Sequence, residues 1–151
     1  MKALLAAAAA AIVALLGSLP VPPPALADPG ADPAGGAARP PIPSPPFIDH
    51  TEWTQSGGLT SLRVFPTPSG RMAAGEPGTA RAADEAWAEV LALSPDADTA
   101  GMRAQFICHW QFAELAQPGK TSWNLEPWRP VVDEAEMVAS RCNPGGPEEA
   151  F

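Results

Sequence analysis

All five tryptophans, Trp53, Trp87, Trp110, Trp123 and Trp128, lie beyond residue 47, and the first phenylalanine is Phe47 itself. Large apolar side chains are what a core is built from, so folding starts near Phe47, and one core is enough to house these rings. Two differently composed stretches precede that point. Asp28 to Pro46 is Pro, Ala and Gly with scattered charge and almost nothing large to bury, which cannot repay the entropy of ordering. It reads as a flexible, partly polyproline-like tether. Before it, the chain opens with Met1 and Lys2, runs apolar from Ala3 to Leu16, and reaches Ala25, Leu26 and Ala27 just before Asp28. A positive start, an apolar middle and a small-x-small ending predict a signal peptide cut after Ala27. The apolar run is shorter than the roughly 18 to 20 residues a bilayer span needs, and Pro20, Pro22, Pro23 and Pro24 would break a longer helix. The predicted organisation is a signal peptide at 1–27, a tether at 28–46 and one small domain at 47–151. The protein is expected to be secreted or held at the cell envelope, with no membrane span once matured.

Charge narrows the partners. Losing Lys2 with the leader would leave eight Lys and Arg against 17 Asp and Glu. Phosphate backbones and anionic lipid surfaces attract the opposite sign, so nucleic acid is not an expected partner and an envelope or extracellular ligand is. Cys108 and Cys142 both fall in the exported part, where an oxidising compartment makes an even count most simply one bridge. The competing reading keeps two free thiols as nucleophile or metal ligands.

Local patterns predict an α+β fold: an N-terminal β-hairpin packed with two to three helices and stapled by one disulfide. Phe47 to Trp53 and Leu59 to Phe65 are β-prone runs on either side of Ser56, Gly57 and Gly58, a hairpin with a loose turn, and Pro66, Pro68 and Gly70 end the second strand. Thr79 begins a helix to Leu93 with Ala83, Trp87, Val90 and Leu91 inward and Asp84, Glu85 and Glu89 outward, stopped by Ser94 and Pro95. A last helix starts at Pro130, carries Asp133 and Glu134 at its positive end and Arg141 at its negative end, and stops at Asn143, Pro144 and Gly145. Its predicted inward face is Val131, Ala135, Val138 and Cys142. Residues 102–112 divide the signals: every even position is apolar, as in a strand, yet the run is long for one and Asp98 and Thr99 are good caps. Helix is the assignment made.

The informative residues cluster in the C-terminal half. The order QFICHWQFA (105–113), KTSWNLEPWRP (120–130) and CNPGG (142–146) resembles a family of small secreted actinobacterial proteins classed as a domain of unknown function, over about residues 47–151. The resemblance implies export and a paired Cys108 and Cys142, and brings no activity, ligand or catalytic residue.

On chemistry alone, His109 is the candidate general base or acid, Glu126 the carboxylate that would orient it, and Arg129 an anion clamp. No Gly-x-Ser-x-Gly accompanies them to supply a nucleophile. Trp123, Trp128 and Arg129 are of the types that dominate binding hot spots. The same residues have a plainer reading: a satisfied histidine beside a disulfide, two tryptophans packed on the core, and an ion pair between Glu126 and Arg129. His50 with Asp49 or Glu52, joined by His109, is the metal-ligand set considered, but no helix-spaced His pair or close Cys pair supports it, so no metal or cofactor is expected. The preferred function is a non-catalytic binding module with Trp123–Pro130 as contact surface. The alternative is a small secreted hydrolase using His109 and Glu126.

Overall fold

A computed structural model describes residues 42–147. The predicted signal peptide and its cleavage site at Ala25 and Ala27 lie outside these residues, as does most of the tether. Strands β1 (Ile48–Ser56) and β2 (Leu59–Pro66) form the predicted antiparallel hairpin, with Ser56 paired to Leu59. The turn is tighter than expected. Its two residues, Gly57 (φ 58) and Gly58 (φ 85), both occupy the left-handed region that a two-residue turn between twisted strands demands and glycine supplies without strain. The short β3 (Trp123–Leu125) pairs antiparallel with β2, giving the sheet order β1-β2-β3.

Among the described residues four α-helices and one 3-10 turn, Pro95–Ala97, accompany the sheet, so the class is α+β. Helix α1 (Pro68–Ala74) was missed in sequence: Thr67 accepts from the Gly70 N–H and Pro68 sits in the first turn, a start signal concealed among prolines that read as a strand end. Gly70 is required there, because an added Cβ would come 2.1 Å from the Phe47 carbonyl oxygen. Helix α2 (Ala80–Leu93) turns Ala83, Trp87 and Val90 inward as predicted. Glu89 departs from its expected solvent side: its carboxylate accepts from the Phe47 and Ile48 N–H groups at 2.8 and 2.7 Å. Helix α3 (Ala100–Ala116) contains the divided segment and is capped by Thr99, whose hydroxyl accepts from the Met102 N–H.

Helix α4 (Glu134–Ala139) is shorter than predicted. Asp133, in extended backbone, caps Glu136 and starts the helix there, leaving Pro130 to Val132 outside it. Of the predicted inward face, Val131 and Val138 are exposed and Met137 is buried instead. Arg141 (φ 54) and Cys142 (φ 66) both turn left-handed past the helix, ending it before Asn143.

One apolar core joins the sheet to α1, α2 and α3, while Met137 of α4 packs in a separate small cluster with Cys108 and Cys142. Leu62 and Val64 of β2, Trp123 and Leu125 of β3, and Met102, Phe106 and Trp110 of α3 are all essentially sealed from solvent. The Trp110 and Trp123 rings meet edge-to-face at 6.1 Å, and Phe47 meets Trp110 likewise at 5.7 Å. The Trp110 indole N–H donates to the Thr79 hydroxyl, so its polar end is satisfied. Ser44 and Pro46, at the end of the predicted tether, are hydrogen-bonded to the start of α1: Ser44 exchanges bonds with the Ser69 hydroxyl, and the Thr67 hydroxyl donates to the Pro46 carbonyl. The Cys108–Cys142 bridge joins α3 to the chain after α4, with a Cα separation of 5.5 Å. Among the described residues no helix is long and apolar enough to cross a membrane.

Candidate functional site

Two polar side chains of α3 point into the protein interior. Gln105 donates its amide to the Gly101 and Glu126 carbonyls and accepts from the Glu126 N–H. One turn on, His109 lies 3.1 Å from the Asn124 carbonyl through Nε2. A carbonyl only accepts, so Nε2 carries the proton and Nδ1 is the unprotonated nitrogen. Burial, then the charge of Lys120, with Arg129 a smaller contributor, push His109 down from 6.5 to about 3, against the opposing hydrogen bond to Asn124. The ring is therefore neutral at ordinary pH, far from the value near operating pH that proton transfer wants.

Glu126 and Arg129 form a fully buried ion pair, Nε to Oε2 at 2.8 Å. Three more guanidinium N–H groups donate to the carbonyls of Pro144, Gly146 and Pro147. Arg129 thus binds the chain's own C-terminal loop, and its cation lies 4.5 Å above the Trp128 ring. Glu126 Oε1 is buried with no hydrogen-bond partner, and no hydrogen bond links this carboxylate to His109. The expected dyad is not assembled, because Glu126 is spent on Arg129 and His109 on the backbone of β3.

The predicted contact surface is divided too. Trp123 is wholly in the core, down to its indole nitrogen, and Arg129 is buried, so neither offers a face to a ligand. Trp128 alone of the three reaches solvent, at 36% exposure. His50 stacks on Phe65 and contacts Asp49, and among the described residues no group of three His, Cys, Asp or Glu side chains is placed to hold a metal.

What the sequence reading missed is a groove of about 710 Å³ beside the disulfide. The C-terminal half of α3 supplies His109, Phe112, Ala113 and Ala116, with Gln117 and Lys120 following; Val138, Ser140, Arg141, Asn143 and Pro147 form the other side, and Cys108 and Cys142 sit between. A signal for it was present: a bridge between Cys108 and Cys142 necessarily brings the residues flanking each half-cystine together.

A family described as "Protein of unknown function (DUF2599)" matches residues 48–145, which take in both half-cystines, the buried polar residues and most of the groove. The chain belongs to this family. Relatives reach beyond the family's matched residues: uncharacterized proteins of Mycobacterium tuberculosis and Mycobacterium bovis are each 66% identical over 154 residues, covering 100% of this chain and of theirs. An uncharacterized protein of Mycobacterium leprae is 60% identical over 100 residues, 66% of this chain and 80% of its own. No solved structure matches the chain significantly. The family resemblance drawn from the sequence is thereby shown, with relatives in actinobacteria and no activity attached to any of them.

Proposed function

We propose that the protein is a non-catalytic binding module of an exported compartment, taking its ligand in the groove beside the disulfide. The groove carries this reading: its volume falls within the roughly 300 to 1,000 Å³ range of small-molecule sites, and it combines an apolar floor with a few polar groups at its rim. The residues that would have performed hydrolysis are engaged in holding the fold, which favours binding over turnover. Export is supported by the leader-like pattern from Met1 to Ala27 and by a disulfide of the kind that persists in oxidising compartments.

The test is a titration with the neutral fluorophore N-phenyl-1-naphthylamine, which brightens on entering an apolar site. Saturable one-site binding is expected, abolished by Ala116→Trp, which fills the groove from an exposed position on α3. Trp128→Ala should leave binding intact. Turnover of an ester or peptide that disappears in a folded His109→Ala variant would overturn the reading in favour of a hydrolase. Export is checked separately by the N-terminus of the protein recovered from its native host, expected at Asp28.

A further inference from the structure

The backbone reaches this groove at a fixed point. Arg129, held on its buried ion pair with Glu126, donates to the carbonyls of Pro144, Gly146 and Pro147, so the chain is pinned up to the residue before Glu148. Pro147 is exposed and lines the groove. Glu148, Glu149, Ala150 and Phe151 follow it in the sequence. Four residues span at most roughly 13 Å, so their contacts are confined to the neighbourhood of Pro147.

That short segment carries two carboxylates and the first aromatic ring after Trp128. The groove complements both. Arg141 stands at its rim, exposed and ion-paired with no described residue. Lys120 lines the same groove with an interaction of its own, which leaves Arg141 as the cation to be met. The floor is apolar: Phe112 is 38% and Val138 43% exposed, and the disulfide and Ala116 complete the surface. A phenyl ring laid there removes apolar area of both partners from water. An exposed ion pair contributes little by itself, so the ring supplies most of the hold and the charge fixes its direction. The two neighbouring grooves along α3 are bordered by acids, Glu76 and Asp84 in one and Asp133 and Glu134 in the other, which a segment with two carboxylates does not complement.

From the pinned backbone at Pro147, the exposed Arg141 and the apolar floor, we infer that residues 148–151 dock in the groove as an intramolecular competitor of its ligand, with a carboxylate of Glu148 or Glu149 on Arg141 and the Phe151 ring against Phe112, Ala116 and Val138. A short tether holds such a segment at an effective concentration on the order of millimolar. Even weak docking then fills the groove much of the time, and a ligand's apparent affinity falls with the fraction left open. This rests on the groove being the binding site, and the experiment separates the two claims. N-phenyl-1-naphthylamine is titrated into the full chain and into a Glu148→Gly/Glu149→Ser/Ala150→Gly/Phe151→Ser variant, which keeps the length and alters nothing before Glu148. The variant should bind at least threefold more tightly; Phe151→Ala should give most of that gain and Arg141→Gln a smaller part. In an Ala116→Cys/Phe151→Cys variant, mild oxidation should close a second bridge within one chain, read as loss of both new thiols in a monomer. Equal affinity in the full chain and the quadruple variant, or new thiols that stay titratable, overturns the docking inference and leaves the groove reading standing. Thiols that pair between chains put a second copy's segment in the groove, and the inference is wrong. No fluorophore binding to either chain removes the groove reading and the competition with it.

Discussion

Between β2 and α3 the domain is held by aromatic and aliphatic packing, with Leu62, Val64, Phe106 and Trp123 sealed from water. Among the described residues from Pro130 onward few apolar side chains are buried: Met137, Cys142 and Pro144. That second region is fastened by a covalent bridge to α3 and by one arginine that donates to three of its carbonyls. Where a segment has too little apolar surface to remain docked by burial, a disulfide and charge-assisted hydrogen bonds can keep it in place. The groove lies along this second seam, so its shape depends on fastenings and not on the core.

The comparison can be broken in three places. The largest effect is expected from Arg129→Ala, which strands the buried Glu126 carboxylate and releases the loop at Pro144 to Pro147; by analogy with other buried pairs the loss is about 3 to 5 kcal/mol, read from urea unfolding. A change under about 1 kcal/mol would mean that the loop is docked by packing after all. Next, reducing the Cys108–Cys142 bridge should cost roughly 3 to 4 kcal/mol in the chain-entropy view. Amide exchange should rise first over Glu134–Ala139 while β2 and α3 remain protected; an unchanged melting curve would contradict the division drawn here.

The smallest of the three concerns His109, which is bonded to the first region and lines the groove at the seam with the second. Its folded value of about 3 lies below the unfolded 6.5. Between those values the unfolded chain takes up a proton that the folded chain refuses. The stability this histidine contributes is therefore complete above about pH 6.5 and lost as pH falls toward 3, costing about 2 kcal/mol between pH 7 and 5. His109→Gln, which keeps a donor for the Asn124 carbonyl and does not titrate, should flatten that limb in thermal melts; an unaltered pH profile would show that another group sets it.

How much of this was legible depended on whether a residue's side chain did what its type suggests. The hairpin, α2 and the bridge were readable because glycines, apolar spacing and paired cysteines announced them. Helix α3 was nearly mistaken for a strand because two residues on its inward stripe are polar: Met102, Gln105, Phe106, His109, Trp110 and Ala113 are buried at helical spacing, and Gln105 and His109 interrupt the apolar signal. The candidate site failed for a related reason. Glu126, Arg129 and His109 are chemically capable residues whose capacity is used internally, on an ion pair and on main-chain carbonyls, and no spacing rule reveals which carbonyl will take them. The plainer reading of Trp123 and of the Glu126–Arg129 pair matches their burial. The groove arises from two segments far apart in sequence, so no local pattern displayed it.

The side chains of Gln105 and His109 have one more consequence. β3 ends the sheet, the position at which an unfilled strand can recruit another chain and seed assembly. Here the Asn124 carbonyl and the N–H and carbonyl of Glu126 are already occupied by a helix acting in place of a neighbouring strand. The two residues that obscured the helix in the sequence thereby serve as a stopper, keeping a three-residue ribbon from becoming a template for polymerisation.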